Sequence, residues 1–367
     1  MGNIPKYQEI INYIQEQIEN KIYSGDSQLP TEEALAKQFH TSRPTVVKAM
    51  EKLRDLNVVY RVQGKGSFVR SEKKLLGSQD SKVISVVLPF AQYRDAARLD
   101  EMNILKGIAR LLDRFGYFTM IHYCKDNDED FIKTVQAVRQ SVSIGTIAYV
   151  AKGLLDCPEI YDLFMGDYPV VLVDKPIMGS NCPCVRSDNV KGAIMAVDHL
   201  VDCGYHHIYF LSDFNATYNE SLRERYVGFC QGVQKHKAHN NAFGHFILGS
   251  QDEDQTELNN VIKQLMLKHK NERVGIFCTG DYLAIKTYNA LLEASADAPK
   301  NFGVIGFDGL GLKAADNSTL TTMSQDYYNI GKVASETMLK LLSNTPVPND
   351  IIKLDVTLQE GTTTIKL

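Results

Sequence analysis

Two clusters in the first seventy residues carry side chains suited to gripping a nucleic acid. Ser42-Arg43-Pro44-Thr45, with Lys48 a turn further on, offers a guanidinium that can pair bidentately with a guanine edge. Its hydroxyl and ammonium groups can hold phosphates. Gln63-Gly64-Lys65-Gly66 sets a cation between two glycines, so that a backbone can approach a duplex while Lys65 supplies positive charge.

A different chemistry recurs further along. Phe90 and Tyr93, Lys152, Asp174-Lys175, Asp281 and Asp308 follow apolar runs, and Arg223 and Arg225 lie near the start of a helical pattern. Each alone is what many strand ends carry. Repeated, this mixture of acids, cations and aromatics suits a polyhydroxylated ligand held by bidentate hydrogen bonds and a stacking ring. No Ser/His/Asp or paired-carboxylate signature accompanies it, so no catalytic residue is expected. No cofactor and no resident metal are expected either. The seven cysteines form no CxxC pair and read as reduced thiols, Cys182-Pro-Cys184 has the wrong spacing for zinc or thioredoxin-type motifs, and His206-His207 reads as the start of a strand.

The elements that must position these groups change character near residue 82. Before it, Ile10, Ile11, Ile14, Ile18 and Ile22 predict a helix from Tyr7 to Ser24, stopped by Gly25. Leu29-Pro30-Thr31-Glu32-Glu33 puts a threonine at the N-cap of a second helix, with two acids in its first turn. A third begins at Thr41-Ser42 and buries Val46, Ala49, Met50, Leu53 and Leu56, leaving Arg43, Pro44, Thr45, Val47 and Lys48 on or near the other face. Val58–Val62 and Ser67–Val69 then flank the Gly-Lys-Gly tip as a hairpin. Three helices and a basic hairpin make a winged helix-turn-helix, whose third helix enters the major groove. A helical interaction module with merely solvated cations is the alternative.

After residue 82, eight apolar runs alternate with amphipathic helices. Such alternation predicts parallel sheets covered on both faces, and the count is too high for one open sheet of ordinary size. The fold class is thus an α+β winged helix-turn-helix head followed by an α/β body of two doubly wound lobes. The head spans 1–72, a polar linker 73–82 and the body 83–367. Lobe 1 takes about 83–185 and 325–352, and lobe 2 about 186–324 and 353–367. The 367 residues carry a net charge of −4, divided as +3 over 1–74 and −7 over the remainder, a mildly basic head on an acidic body. No run is long and apolar enough to span a membrane, and no signal-peptide core is present, so the expected address is cytoplasmic.

These residues carry two resemblances. Lys6-Tyr7, Leu29-Pro30-Thr31-Glu32, Leu35-Ala36, Phe39, Ser42-Arg43, Thr45-Val46 and Gln63-Gly64-Lys65-Gly66-Ser67-Phe68-Val69 resemble the GntR-type winged helix. The resemblance implies base or phosphate contacts with double-stranded operator DNA from Arg43, Thr45 and Lys48, and minor-groove contacts from Gly64 and its neighbours Gln63 and Lys65; Thr31, Glu32, Ser42 and Pro44 complete the candidate set. Glu33 and Val47 depart from it, each standing where many members carry arginine. The body resembles the LacI/GalR effector domain, itself similar to periplasmic sugar-binding proteins. The strings are Pro169–Pro176, Val185-Arg186-Ser187-Asp188-Asn189, Arg225-Tyr226-Val227-Gly228-Phe229, Ile276–Asp281, Val304–Asp308 and Gln325-Asp326. This implies effector contacts from Arg225, Asp308 and Gln325, with Phe90, Lys152 and Asp281 as partners. Tyr93, Arg186 and Arg223 complete the candidate set. Gly280 departs, replacing an asparagine usual before that aspartate, and Glu360-Gly361-Thr362-Thr363 lacks the common arginine.

A GntR head on a LacI-like body is the arrangement of the arabinose-repressor subgroup. It implies a homodimeric regulator, by resemblance a repressor, on a pseudo-palindromic operator, with a neutral sugar such as L-arabinose as effector. A phosphorylated sugar stays open through Lys152 and Arg186. The rivals are a pyridoxal-phosphate-binding, enzyme-like body, for which no lysine has a convincing aldimine context, and a plain sugar-binding protein.

Overall fold

A computed structural model describes residues 5–20, 22–23, 27–55, 58–62, 65–69, 81–90, 99–125, 127–150, 164, 166–177, 179–213, 220–236, 242–248, 255–295, 297–347 and 351–366. In the head, α1 (Lys6–Glu19), α2 (Glu32–Gln38) and α3 (Arg43–Asp55) precede an antiparallel hairpin of β1 (Val59–Val62) and β2 (Gly66–Val69). Ile10, Ile11, Ile14, Leu35, Val46, Ala49, Met50 and Leu53 form one core with Val59 and Val69. Helix α1 stops at Glu19, short of the expected Ser24, because the chain leaves helical geometry at Asn20. Ile22 consequently stands exposed rather than in the apolar stripe. Thr31 caps α2 as its spacing requires, accepting the Ala34 N–H at 3.2 Å. The segment 27–29 runs along β2, with Leu29 N–H to Ser67 O at 2.8 Å and Val69 N–H to Ser27 O at 2.9 Å.

The body contains β3 (Val83–Phe90), α4 (Leu99–Arg114), β4 (Phe118–Lys125), α5 (Asp128–Arg139), β5 (Ser143–Tyr149), β6 (Val170–Val173) and β7 (Cys184–Ser187). Next come α6 (Asn189–Asp202), β8 (His207–Asp213), α7 (Glu220–Lys235), β9 (Ala242–Leu248), α8 (Thr256–Lys268), β10 (Val274–Cys278), α9 (Asp281–Ala294) and α10 (Ala298–Asn301). It closes with β11 (Phe302–Asp308), β12 (Thr321–Ser324), α11 (Tyr327–Leu342), β13 (Ile351–Leu354) and β14 (Thr357–Gln359). Two six-stranded sheets result, ordered β13-β7-β6-β5-β3-β4 and β14-β12-β11-β10-β8-β9. The expected pair of doubly wound lobes is present. Strand β14 departs from the parallel pattern, running antiparallel to β12.

The chain passes between the sheets three times, after β7, after β12 and after β13. These crossings bring the carboxyl ends of strands from both sheets toward one place. Helix α11 returns to the first lobe and packs against α4. Their backbones touch through reciprocal glycines: a Cβ on Gly331 would overlap the Ile104 carbonyl oxygen, and one on Gly107 that of Tyr328. Gly331→Ala must therefore push the helices apart, at an expected cost of about 1–3 kcal/mol measurable by urea denaturation.

Candidate nucleic-acid interface and ligand cleft

At the start of α3, Ser42, Arg43, Pro44 and Lys48 are exposed and Thr45 half-buried, while Val46, Ala49 and Met50 anchor the other face. Ser42 and Thr45 hydroxyls lie 2.9 Å apart, which orders the first turn. Arg43 Nε donates to Glu32 Oε2 at 3.1 Å, and Arg61 approaches the other oxygen of the same carboxylate at 3.6 Å. Glu32 thus aims two cations rather than meeting a phosphate itself. Lys48 Nζ stands 4.6 Å over the Tyr7 ring. In the wing, Gln28 Nε2 donates to the Lys65 carbonyl at 2.6 Å, and Gly66 holds a positive φ of 113° that a side chain would strain. Lys65 is exposed. Gln63 and Gly64 lie outside the described residues.

The body gathers a denser polar cluster. Arg225 on α7 is buried, with Nε on Asn189 Oδ1 at 3.0 Å and Nη1 on both Asp308 Oδ1, at 3.2 Å, and the Thr279 carbonyl. Its guanidinium plane sits 3.8 Å from the Phe307 ring centroid. Gln325 Nε2 donates to Asp308 Oδ1 and to the Tyr327 hydroxyl, each at 2.9 Å. From the first lobe, Lys175 reaches Asp174 at 2.7 Å and the Val150 carbonyl at 3.0 Å, and Asp174 accepts from Ser221 of α7 at 3.1 Å. Arg186 on β7 is fully buried between Glu220 at 3.2 Å and Glu224 at 2.8 Å, both on α7.

Electrostatics divide the acids. Burial would raise Asp174, but Lys175, backed by Arg186 and Arg225, outweighs it and holds this carboxyl below its ordinary range. At Asp308 burial wins over Arg225, and the charge of Asp100 pushes the same way, so its carboxyl is raised. Burial, then Asp308, Asp100 and Tyr149, lift the Tyr327 hydroxyl far up and keep it neutral. Asp174 and Asp308 also hold positive φ values of 70° and 131°, strained conformations for aspartate at two strand ends that face the same cleft.

Of the residues singled out from sequence, Arg225, Asp308 and Gln325 meet directly, and Arg186 joins the same helix from across the lobes. Asp281 sits behind them, fully buried. Its carboxylate accepts from Leu310 N–H at 2.8 Å and Thr322 Oγ1 at 2.5 Å, and so pins the loop that carries Asp308. Burial, then Asp308, push it up to about 7. Arg223 is exposed, two residues from Arg225 and hence on another face of α7. Tyr93, Lys152 and the side chain of Phe90 lie outside the described residues. Sequence reading missed Asp100, Tyr149, Asn189, Ser221 and Tyr327. Asn189 and Tyr327 each follow a strand too short and polar to have been read.

Comparison with known proteins matches residues 6–69 to the gntR family of bacterial regulatory proteins and residues 197–364 to a periplasmic binding protein-like domain. The arabinose metabolism transcriptional repressor of Geobacillus stearothermophilus is 26% identical over 351 residues, covering 94% of this chain and 93% of its own. Among solved structures, a periplasmic binding protein/LacI transcriptional regulator from Alkaliphilus metalliredigens QYMF, complexed with D-xylulofuranose, superposes with a TM-score of 0.61. It is 23% identical and covers 78% of this chain and 100% of its own. The lac repressor dimer bound to operator and an anti-inducer gives a TM-score of 0.62 at 18% identity, covering 80% and 97%. These two likenesses speak to the fold. An exposed cationic α3 and a polar cleft between two sheets agree with these matches: the chain joins a head similar to the gntR family of bacterial regulatory proteins to a body that carries a periplasmic binding protein-like domain.

Proposed function

We propose that the protein is a transcriptional repressor of carbohydrate-utilisation genes, without catalytic activity, that leaves its operator when a small neutral sugar enters the cleft. A pentose such as L-arabinose leads the candidates. The observation that carries this reading is the junction of Arg225, Asp308 and Gln325 where strand ends of both lobes converge. Vicinal hydroxyls both donate and accept, and a fixed guanidinium beside a carboxylate and an amide matches them. A phosphorylated sugar is disfavoured because these cations among the described residues are already neutralised, Arg186 by two glutamates and Lys175 by Asp174, while Lys152 lies outside the described residues. Calorimetry with a pentose and hexose panel tests the reading. Heat from one sugar, lost in Asp308→Ala, supports it; silence from all of them contradicts it. A protein that reads operator DNA works in the compartment holding that DNA, in keeping with the cytoplasmic expectation.

The head should obey the usual division between base and phosphate contacts. Arg43→Ala is expected to cost roughly 1–3 kcal/mol of operator affinity and to relax specificity at one base pair. Lys65→Ala should weaken binding to every sequence and flatten the salt dependence. Parent-like titrations for both variants would contradict this docking.

A homodimer belongs to the same proposal. The edge strand β4 exposes Phe118, Met120, Ile121 and Tyr123, and nearby in sequence Phe115 and Met102 are exposed too. Such an apolar row on a sheet edge calls for a partner, and a second copy supplies the second head that a pseudo-palindromic site needs. Sedimentation should show a dimer at micromolar concentration, converted to monomer by Ile121→Glu. A monomeric parent with one chain per operator would contradict it.

A further inference from the structure

At the amino-terminal edge of the second sheet, three side chains converge that play no part in the cleft. His207 is the first residue of β8, His269 caps the end of α8, and Glu272 lies in the turn leading to β10. That turn contains Asn271 at a φ of 63°, a left-handed position that asparagine tolerates, and it folds Glu272 back over His269. Glu272 Oε2 is then 2.6 Å from His269 Nδ1 and 3.1 Å from His207 Nε2. The two imidazoles lie 4.2 Å apart, tilted by 31°. The candidate ligand atoms of the three residues all fall within 4.8 Å of one another.

We propose that His207, His269 and Glu272 bind one divalent transition-metal ion of the zinc type, one per chain. Two imidazole nitrogens and one carboxylate oxygen are a donor set that such ions select, whereas calcium and magnesium prefer oxygen alone. The surroundings support the two histidines unequally. His269 is buried, and its other nitrogen, Nε2, lies 2.7 Å from the Tyr209 hydroxyl, the kind of outer hydrogen bond that fixes a ligating ring. Lys268 in turn reaches the same hydroxyl at 3.2 Å, on the side away from Glu272 Oε2 along this chain of contacts. His207 Nδ1 is buried with no hydrogen-bond partner among the described residues, so its ring is not committed to another role through that atom. Glu272 is half exposed and gives an ion access from solvent. From sequence alone no metal is expected, and His206-His207 is the start of a strand. His207 does start β8, and the fold adds His269 and Glu272, which lie some sixty residues away in the chain.

Such a site would lie at the opposite end of the strands from the sugar-contacting residues, and it stands independently of the proposed effector. The test is a titration of untagged, full-length, chelator-stripped protein with Zn²⁺ by calorimetry, and with Co²⁺ by visible absorption. One equivalent per chain is expected, without a thiolate charge-transfer band. His207→Gln and Glu272→Gln should each abolish stoichiometric binding while circular dichroism and operator binding stay as in the parent. Absence of stoichiometric binding, binding that survives both substitutions, or a thiolate band from the cysteines would each overturn the proposal.

Discussion

Arg225→Ala is expected to abolish sugar binding and to lower the stability of the body by about 3 kcal/mol, because it takes the cation from the half-buried Asp308 and leaves its carboxylate to Gln325. For a domain of this size that corresponds to a fall in Tm of roughly 10 °C. The substitution also removes the contact to Asn189 and the stacking on Phe307. Arg225→Lys separates the two effects. It restores a positive charge near Asp308 and should recover much of the stability, but it lacks the planar fork and should not recover sugar affinity. Thermal unfolding and calorimetry on the same samples read both quantities. An Arg225→Ala protein as stable as the parent and binding sugar normally would remove this residue from the centre of the cleft.

The second large effect is a dependence on pH carried by Asp281. Its carboxyl is raised to about 7 in the folded chain, first by burial and then by Asp308, against an unfolded value of about 3.9. Below about pH 4 both states hold the proton, and Asp281 does not influence stability. Between about 4 and 7 the folded state keeps a proton that the unfolded state has released, so stability falls as pH rises. Above about 7 the loss is complete, on the order of 4 kcal/mol for a shift of this size. Asp281→Asn removes that slope. Its amide can still accept from Leu310 N–H and can donate to Thr322 Oγ1, so the loop stays pinned. Urea denaturation from pH 5 to pH 8 should show the variant gaining on the parent as pH rises. A difference between the two that is constant over this range would contradict the assignment.

Much of this was legible in the sequence where local pattern and tertiary need agree. Thr31 caps its helix because a threonine before two acids has little else to do, and the apolar runs of β3, β6, β10 and β11 are buried strands because both faces of each sheet are covered. Strands β7 and β12 escaped notice because Cys-Val-Arg-Ser and Thr-Thr-Met-Ser are short and polar. The fold satisfies them individually, Arg186 by glutamates and Thr321 by Thr363 and Thr364. Helix α11 buries Gly331, Ser335 and Thr337 beside Ile330, Ala334 and Met338, and these small and polar types blur its apolar period. The cleft shows the deeper limit. Asp281 and Asp308 both follow apolar strands, yet one turns inward to hold a loop and the other outward to Arg225 and Gln325. Asp100, Tyr149 and Ser221 are ordinary residues until three crossings between sheets bring them together.

The central claim is that sugar in the cleft controls the grip of the head on DNA, and the most direct measurement is operator affinity by fluorescence anisotropy with and without saturating sugar. A coupling of about 1–3 kcal/mol is expected, weakening operator binding roughly 5- to 150-fold, and Arg225→Lys should lose the response while still binding operator. Operator affinity that no pentose or hexose alters, or a response that survives in Arg225→Lys, would contradict the account.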